Sequence, residues 1–222
     1  KMSLSEPLVV LQLLPSMHVG GVERGVLTLD SAYSRSHSSI ECLIASAGGP
    51  LATQARTHVR LPTLSARGLI SVLLINPVLL AVYVRFRGVK IIHARSRLLA
   101  LSAFLARALV PRSVKLVCTW HGYYDLSTPL KRALCAPLLA AHVLIFPSAA
   151  LATHVASVLR PAISSHWQVI HRGVDADEFG AAEQDAAHSE QDEAGPRTAP
   201  AAPEAGSAGV DALSAAGAAA RR

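Results

Sequence analysis

Short apolar runs alternate with longer, mostly amphipathic segments along the first 180 residues. The apolar runs predict strands, and the segments between them predict helices. Near-continuous apolar runs are typical of strands that are buried on both faces of a parallel sheet. The predicted strands cover residues 8–14, 40–45, 59–61, 89–93, 115–120, 142–146 and 167–171. Because strands and helices alternate, we predict an α/β domain with a mostly parallel sheet and helices on both faces.

The most apolar window covers residues 69–84, and it is interrupted by Asn76 and Pro77 and followed by Arg85 and Arg87. A membrane-spanning helix needs about 20 apolar residues, so this window is short for a span. Asn76 and Pro77 suit the cap and the first turn of a helix. We therefore predict two successive helices that pack on the core.

The composition of the chain changes near residue 180. Residues 1–180 hold 18 Lys/Arg and 8 Asp/Glu, a net charge of +10, whereas residues 181–222 hold 3 and 7, a net charge of −4. The second segment has no aromatic residue and 16 alanines, so it cannot bury enough apolar surface to offset its chain entropy. We expect one domain over residues 1–180 and a disordered or weakly helical tail over 181–222. The positive charge favours anionic lipid or nucleotide-bearing partners.

Several kinds of chemistry are disfavoured by the motifs. Cys42, Cys118 and Cys135 are isolated, without a CxxC pair, and indicate buried free thiols in a reducing, cytoplasmic compartment. The histidines lack metal-ligand spacing, and the sequence has no Walker A motif, nucleophile elbow or GxGxxG loop. The arginines are scattered and match no nucleic-acid motif. We expect no metal ion, no cofactor and no nucleic-acid partner.

Polar clusters follow five of the predicted strands. They are residues 16–21, 93–97 and 121–125, Ser148, and residues 172–175. Ligands of parallel α/β sheets bind at the carboxyl ends of the strands, so these clusters are expected at one edge. In the first cluster, Gly20 and Gly21 lie before a helix start, where free N–H groups can bind a phosphate. A simple tight turn is the alternative.

The other clusters offer three candidate groups. His121 can orient a substrate hydroxyl or share a proton near its working pKa, or it can be a histidine satisfied by a neighbouring carbonyl. Arg97 suits a phosphate or carboxylate, and a solvated arginine at a helix start is the alternative. Tyr123 can stack on a sugar or base, or serve packing. Gly173, which permits positive φ, indicates either a rigid turn or a linker.

In their order and spacing, these segments resemble the N-terminal domain of the family 4 glycosyltransferases, which are retaining enzymes of the GT-B type. The combination of motifs carries the resemblance, from about residue 8 to residue 180. The matching segments are VLQLLPSMHVGGVERGVLTL (10–29), IIHARSR (91–97), TWHGYY (119–124), IFPSAAL (145–151) and VIHRGVDADEF (169–179). The resemblance implies a Rossmann-like domain that is one half of a GT-B fold.

The resemblance also implies roles for the matching positions. Gly20 and Gly21 correspond to the loop that approaches the diphosphate of the donor, and His121 corresponds to a catalytic histidine of the acceptor site. The other implied positions are Glu23, Arg24, Arg97 and Tyr123 in the acceptor cleft, and Arg172, Gly173 and Asp175 in the segment between domains. A nucleotide-sugar is then a co-substrate, with no cofactor and no metal ion.

The implied function is hexosyl transfer from a nucleotide-sugar to a lipid-linked or glycan acceptor, of the lipopolysaccharide or glycolipid type. Peripheral association with the inner face of an anionic cytoplasmic membrane is expected. Family members carry a second domain with a Glu-x7-Glu motif, whereas an Ala/Glu/Pro-rich sequence without that motif follows Phe179 here. The sequence therefore leaves open an inactive fragment, a non-catalytic half-domain that binds a glycolipid or a partner chain, and a complete small α/β enzyme.

Overall fold

The computed structural model describes residues 7–36, 39–66, 68–159 and 165–173. Within these ranges the chain forms one sheet of seven parallel strands. The strands are β1 (Leu8–Leu13), β2 (Ile40–Ser46), β3 (His58–Arg60), β4 (Ile91–Ala94), β5 (Lys115–Thr119), β6 (Val143–Phe146) and β7 (Trp167–Val169). Every strand that the apolar runs predict is present, and the parallel α/β architecture is confirmed.

The strand order is β3-β2-β1-β4-β5-β6-β7. Strand β1 therefore pairs with both β2 and β4, and Leu11 lies opposite Leu43 on one side and Ile92 on the other. The chain moves outward from β1 to β3 and returns to the opposite side of β1 with β4. At such a reversal the loops that follow the two central strands diverge, and they leave a crevice at the carboxyl edge.

Helices cover both faces of the sheet within the described ranges. They are α1 (Gly21–Ser36), α2 (Asn76–Phe86), α3 (Arg97–Ala106), α4 (Pro129–Ala133), α5 (Ala136–Leu139) and α6 (Ala149–Leu159). Side chains alternate between the faces of a strand, so the core forms two clusters. The larger cluster holds Leu11 with Leu80 of α2 and Leu99 of α3, and the smaller one holds Ile44 with Val26 of α1.

Helix α2 is preceded directly by a π-helical turn, Ser71–Ile75. Pro77 explains the turn, because proline has no N–H to donate and its ring crowds the carbonyl four residues earlier. The N–H of Asn76 donates to the carbonyl five residues earlier, which leaves the Val72 carbonyl without an intrahelical donor. Ser102 Oγ of α3 donates to that carbonyl at 2.8 Å. Asn76 is thus inside a continuous helical run, and the prediction of a cap there was wrong.

Two further expectations concern the rest of the chain. The three cysteines are buried and free, as predicted. The chain divides into two units, Lys1–Val174 and Asp175–Arg222, and every described residue belongs to the first. The tail predicted over residues 181–222 lies outside the described residues, and the boundary at residue 180 stays a prediction. No described helix combines the length and the apolar composition that crossing a bilayer requires.

Candidate functional site

Four of the five polar clusters meet at the carboxyl edge of the sheet. Arg172, which follows β7, donates from Nη2 to Nδ1 of His121, which follows β5, at 2.7 Å. Arg172 Nη1 lies 3.0 Å from the position that a Cβ on Gly21 would occupy. Arg95, which follows β4, is close enough to act on the pKa of His121. The fifth cluster has a structural role, because Ser148 Oγ accepts the N–H of Leu151 in the first turn of α6.

The glycine loop after β1 provides space next to the N-terminus of α1. The carboxylate of Glu23 lies over Gly20, so any side chain at Gly20 would collide with it. Gly21 is the first residue of α1, and Arg172 lies over it. Neither glycine has a positive φ, and the groups over both are the ends of flexible side chains, so a Cβ at either position would be met by a shift of Glu23 or Arg172. Arg24 is exposed on the first turn, and its N–H donates to the carbonyl of Gly20 at 3.0 Å.

The loop after β2 holds the glycine loop in place. Met17 N–H donates to the carbonyl of Gly48 at 2.9 Å, and Leu51 N–H donates to the carbonyl of Met17 at 2.9 Å. Gly49 has a φ of +143°, and a Cβ there would lie 2.5 Å from the Met17 carbonyl oxygen. Glycine is therefore required at this position. The sequence pattern predicts only a turn here, because the contact with Met17 joins two separate loops.

His121 is a neutral hydrogen-bond donor in this geometry. Arginine can only donate, so Nδ1 accepts from Arg172 and the ring carries its proton on Nε2. Nε2 is buried and has no hydrogen-bond partner among the described residues. Burial, and then the positive charges of Arg95 and Arg172, lower the pKa of His121 to about 3. Burial, and then the two cations, disfavour the charged form of His121 and favour the orienting role over a shared proton, and both roles stay predictions.

A buried polar layer lies in the sheet beside His121. Arg95 Nε donates to Oε1 of Gln12 at 3.1 Å, and Arg95 Nη2 is buried and has no partner within the described ranges. Burial lowers the pKa of Arg95 to about 10, so the guanidinium still carries its charge near pH 7. His93 Nε2 lies 2.8 Å from Oγ1 of Thr119. The pKa of His93 is well below its ordinary value because of burial, with smaller effects from Arg95 and His121.

The sequence pattern did not single out Arg95 or Gln12 as site residues. A signal was available, because Gln12 is the one polar residue in the apolar run of β1 and is 1% exposed. A polar side chain in such a strand is expected to have a partner, since burying it alone costs free energy. The pattern could not identify Arg95 as that partner, because the two residues lie 83 positions apart.

Arg97 and the two tyrosines of the HGYY segment have different surroundings. The guanidinium carbon of Arg97 lies 4.5 Å from the ring centroid of Tyr124. Burial raises the pKa of the Cys135 thiol, and the nearby Arg97 opposes that rise. Nη1 of Arg97 is buried without a partner among the described residues. Tyr123 is 68% exposed, and its ring packs edge-on against His154 of α6 with centroids 4.8 Å apart. Tyr123 therefore lies toward α6, and its place in the acceptor cleft stays a prediction.

The segment that follows β7 enters the site through Arg172. Gly173 does not have a positive φ, so its conformation does not depend on glycine, and the choice between a rigid turn and a linker stays a prediction. Open space surrounds the position that a Cβ on Gly173 would take. Asp175 lies outside the described residues.

The carboxyl edge carries positive charge that the described residues do not neutralise. The ion pairs between described side chains join Arg87 to Glu41 and Lys131 to Asp125, so no described carboxylate pairs with the site arginines. Three buried donors of this edge have no partner among the described residues: Arg95 Nη2, Arg97 Nη1 and His121 Nε2. A buried donor that makes no hydrogen bond costs roughly 1–3 kcal/mol of folding free energy. An anionic ligand that accepts these hydrogen bonds would recover that cost. Among the described residues, no group of three His, Cys, Asp or Glu side chains is placed to hold a metal ion.

The sequence profile described as Glycosyltransferase Family 4 matches residues 19–178, which contain the glycine pair and the arginine–histidine site. No curated protein sequence matches the chain. A glycosyltransferase from Rickettsia africae ESF-5 has 23% identity and a TM-score of 0.65, with 86% of this chain and 51% of that chain covered.

Two other solved structures share the fold. The apo form of the lipopolysaccharide outer core galactosyltransferase WaaB has 11% identity and a TM-score of 0.58, with 76% of this chain and 46% of that chain covered. Sucrose-phosphate synthase from Thermosynechococcus elongatus has 14% identity and a TM-score of 0.59, with 80% and 52% covered. At these identities the likeness shows the fold alone. The chain spans about half the length of all three structures.

Proposed function

Because the chain belongs to glycosyltransferase family 4, we propose that it takes part in hexosyl transfer from a nucleotide-sugar to a lipid-linked or glycan acceptor of the lipopolysaccharide or glycolipid type. One observation carries the proposal. The buried Nε2–H of His121 has no partner in the described chain, and Arg172 orients the ring through Nδ1. Arg95, whose charge acts on His121, also has a buried Nη2 without a partner among the described residues. Such donors suit a polar, anionic ligand at the crevice next to β1 and β4.

The donor diphosphate is assigned to the wall formed by the glycine loop and Arg95. Gly20 and Gly21 lie at the N-terminus of α1, where free N–H groups and the helix dipole favour negative charge. A diphosphate that approaches this backbone displaces the flexible ends of the Glu23 and Arg172 side chains, which lie over the two glycines. In sugar transfer, cleavage of the bond between the anomeric carbon and the diphosphate leaves additional negative charge on the leaving group. Arg95 Nη2 is buried, so a hydrogen bond from this atom can stabilise that charge at a lower local dielectric than in water.

His121 acts in this proposal as a positioning donor. A neutral ring whose Nδ1 already accepts from Arg172 cannot remove a proton through that atom. Its Nε2–H can instead donate to a sugar hydroxyl or a phosphate oxygen and hold the reacting groups in one geometry. The catalytic role that the resemblance implies for His121 is thus proposed as orientation rather than proton transfer.

The acceptor is assigned to the surface around Glu23, Arg24, Arg97 and Tyr123, as the resemblance implies. Supporting features are the carboxylate of Glu23 above the glycine loop and the unpaired Nη1 of Arg97. The exposed ring of Tyr123 offers a stacking surface for a sugar. We further propose that transfer needs no metal ion or cofactor, because arginines and N–H groups supply the positive charge that a diphosphate requires.

Calorimetric titration of the full-length chain tests the proposal. The probes are inorganic pyrophosphate and a panel of UDP-, GDP- and ADP-hexoses, each with and without EDTA. We expect binding that survives EDTA and weakens about tenfold or more in Arg95→Gln and His121→Ala, from the loss of one charge-assisted or buried hydrogen bond. Arg56→Gln removes an exposed arginine outside the site and is the matched control. Equal affinity in all variants would contradict the site assignment.

The same titration separates the proposal from the alternative of a non-catalytic half-domain. Release of free hexose together with the nucleoside diphosphate, or transfer of the hexose to an added glycolipid, measured in parallel reactions, would support catalysis by this chain. Glycolipid binding without donor binding would support the half-domain that only recognises an acceptor.

A further inference from the structure

The helical run that ends with α2 exposes a row of large apolar side chains. Fractional exposure is 68% at Ile70, 64% at Leu74, 52% at Val78, 63% at Val82 and 85% at Phe86. These residues recur at every fourth position, so they lie along one side of the run. Together with their exposed neighbours they form the apolar ridge, defined as Leu69, Ile70, Leu74, Ile75, Val78, Leu79, Val82 and Phe86.

The ridge is not part of the protein core. The opposite side of the same helical run supplies the core, through Val72, Leu80 and Val84, which are 3% exposed or less. Isolated apolar residues are common on protein surfaces, but a contiguous apolar row marks a surface that binds another body. We therefore expect the ridge to bind a partner, called its occupant below.

The charge around the ridge identifies the chemistry of that occupant. Residues 42–124 contain eleven Lys/Arg and no Asp or Glu. At the Phe86 end, the exposed cations Arg85 and Lys90 line a cleft of about 260 Å³ together with Ser113. Arg87 differs from its neighbours, because it pairs with Glu41 at 2.7 Å. We therefore expect an occupant that offers an apolar surface to the ridge and negative charge to Arg85 and Lys90.

An anionic membrane surface meets both conditions. A second copy of this chain would bring the same segment without acidic residues against Arg85 and Lys90, so charge does not favour it. A helix that lies in the membrane interface buries its apolar side and places basic residues at the lipid phosphates. The chain offers that arrangement without a membrane-spanning helix in its described part.

The position of the ridge is compatible with the carboxyl-edge site. Asn76 Nδ2, at the start of α2, donates to the carbonyl of Thr63, which follows β3. The ridge therefore begins at the edge of the sheet that holds His121 and runs toward the opposite edge, where β4 begins. A membrane along this side would lie next to both edges, so a lipid-linked acceptor could reach the site from the same surface.

We propose that the apolar ridge docks this protein on an anionic membrane, with Arg85 and Lys90 bound to lipid phosphates. The docking rests on the proposed function only in assuming that the acceptor is a lipid. Membrane binding itself can be measured without a sugar donor, an acceptor or any turnover. Its test and the pyrophosphate titration can therefore fail independently.

Vesicle co-sedimentation of the full-length chain tests the docking. The vesicles contain phosphatidylcholine alone or with about 30% phosphatidylglycerol, which sets the negative surface potential. The ridge variant is Val78→Ser with Val82→Ser and Phe86→Ser, and the charge variant is Arg85→Gln with Lys90→Gln. Leu130→Ser is the matched control, since Leu130 is 71% exposed on α4, outside the ridge. Unchanged circular dichroism and melting temperature verify the fold of each variant.

We expect binding to the anionic vesicles that falls about tenfold or more in the ridge variant, because the buried apolar area is lost. The charge variant is expected to lose the preference for phosphatidylglycerol, and Leu130→Ser is expected to bind like the parent. Absence of binding by the parent chain, or equal binding by the ridge variant, overturns the proposal. A dimer of the parent chain that the ridge variant dissociates, seen by sedimentation velocity, overturns it in favour of a second copy.

Discussion

Arg172 donates from Nη2 to Nδ1 of His121 at 2.7 Å, across 51 positions of sequence. This contact joins the segment after β7 to the segment after β5, and it decides the tautomer of the imidazole. Because Nδ1 accepts, the proton of the neutral ring lies on Nε2, which is buried and has no partner in the part of the chain that the structure describes. The residue that the motif identifies as reactive is thus oriented by a residue that the motif assigns to a linker.

The first prediction concerns the ionisation of His121. Arg172→Ala removes one nearby cation and should raise the pKa of His121 from about 3 toward its ordinary value. Arg172→Lys keeps the positive charge and is expected to hold the pKa lower than the alanine variant does. An NMR titration of the His121 ring protons measures both. An unchanged pKa in Arg172→Ala would show that Arg172 has no such effect.

The second prediction concerns stability in acid. The pKa values of His121 and His93 are lowered in the folded state, so below about pH 6.5 the unfolded chain binds protons that the folded chain does not. The free energy of unfolding should therefore fall as the pH drops from about 6.5 toward 3. For His121 the expected slope is at most about 1.4 kcal/mol per pH unit. Urea denaturation at several pH values should show a smaller slope for His121→Asn, and an identical slope would refute this account.

The third prediction compares two glycines of α1. A Cβ on Gly21 would lie 3.0 Å from Arg172 Nη1, whereas a Cβ on Gly25 would meet nothing within 4 Å. Gly25→Ala should stabilise the fold by about 0.5–1 kcal/mol, the ordinary gain for alanine in a helix. Gly21→Ala should displace Arg172 and weaken pyrophosphate binding several-fold. Denaturation and calorimetry check the pair, and equal ligand affinity in both variants would contradict the contact.

The fourth prediction compares two glycines that have positive φ. Gly88 has a φ of +62° and open space, so Gly88→Ala should cost about 1–2 kcal/mol of backbone strain. Gly49 has a φ of +143° and faces the Met17 backbone, so Gly49→Ala should cost more, about 3 kcal/mol or above. Thermal and urea unfolding of the two variants measure these losses of stability and rank them. The reverse ranking would disprove the role of Gly49 in joining the two loops.

The fifth prediction concerns the carbonyl that Pro77 leaves free. Ser102→Ala removes the donor to the Val72 carbonyl in the interior, and it should lower the free energy of unfolding by about 1–3 kcal/mol. Ser157→Ala is the matched control, because Ser157 Oγ donates to the carbonyl of His154 at an exposed place. That change should stay within about 0.5 kcal/mol. Equal losses in the two variants would argue against the explanation of the π-helical turn.

Much of the fold could be predicted because its signals are local. Each strand is a short apolar run bounded by polar or turn residues, and side-chain alternation does not depend on distant contacts. The structure of the helical segment that contains Asn76 and Pro77 was harder to predict, because the same two residues are compatible with an N-cap and with a π-helical turn. The Ser102 hydroxyl on a separate helix supports the continuous alternative. That support lies 30 positions away and leaves no local pattern.

Some residues of the candidate site could likewise be predicted from local sequence, and others could not. Gly20, Gly21, His121 and the family membership follow from motifs, because motifs are contiguous and keep their spacing. The partnership of Gln12 with Arg95, and of Met17 with Gly49, depends on which strands are neighbours. Sequence-based reasoning could not find these pairs, because their members come from separate loops or strands.

The sequence by itself determined the seven strands, the parallel α/β class, the family and the excess of cations over residues 42–124. Only the tertiary structure decided which groups act on His121 and which apolar residues of the helical run face outward. The physical reason is that hydrophobic periodicity is a property of neighbouring residues in the sequence. In contrast, a pKa and the exposure of a side chain depend on everything that packs around the group. His121 would titrate near neutral pH in an unfolded chain, and burial in the folded chain, followed by the charges of two arginines, lowers its pKa to about 3.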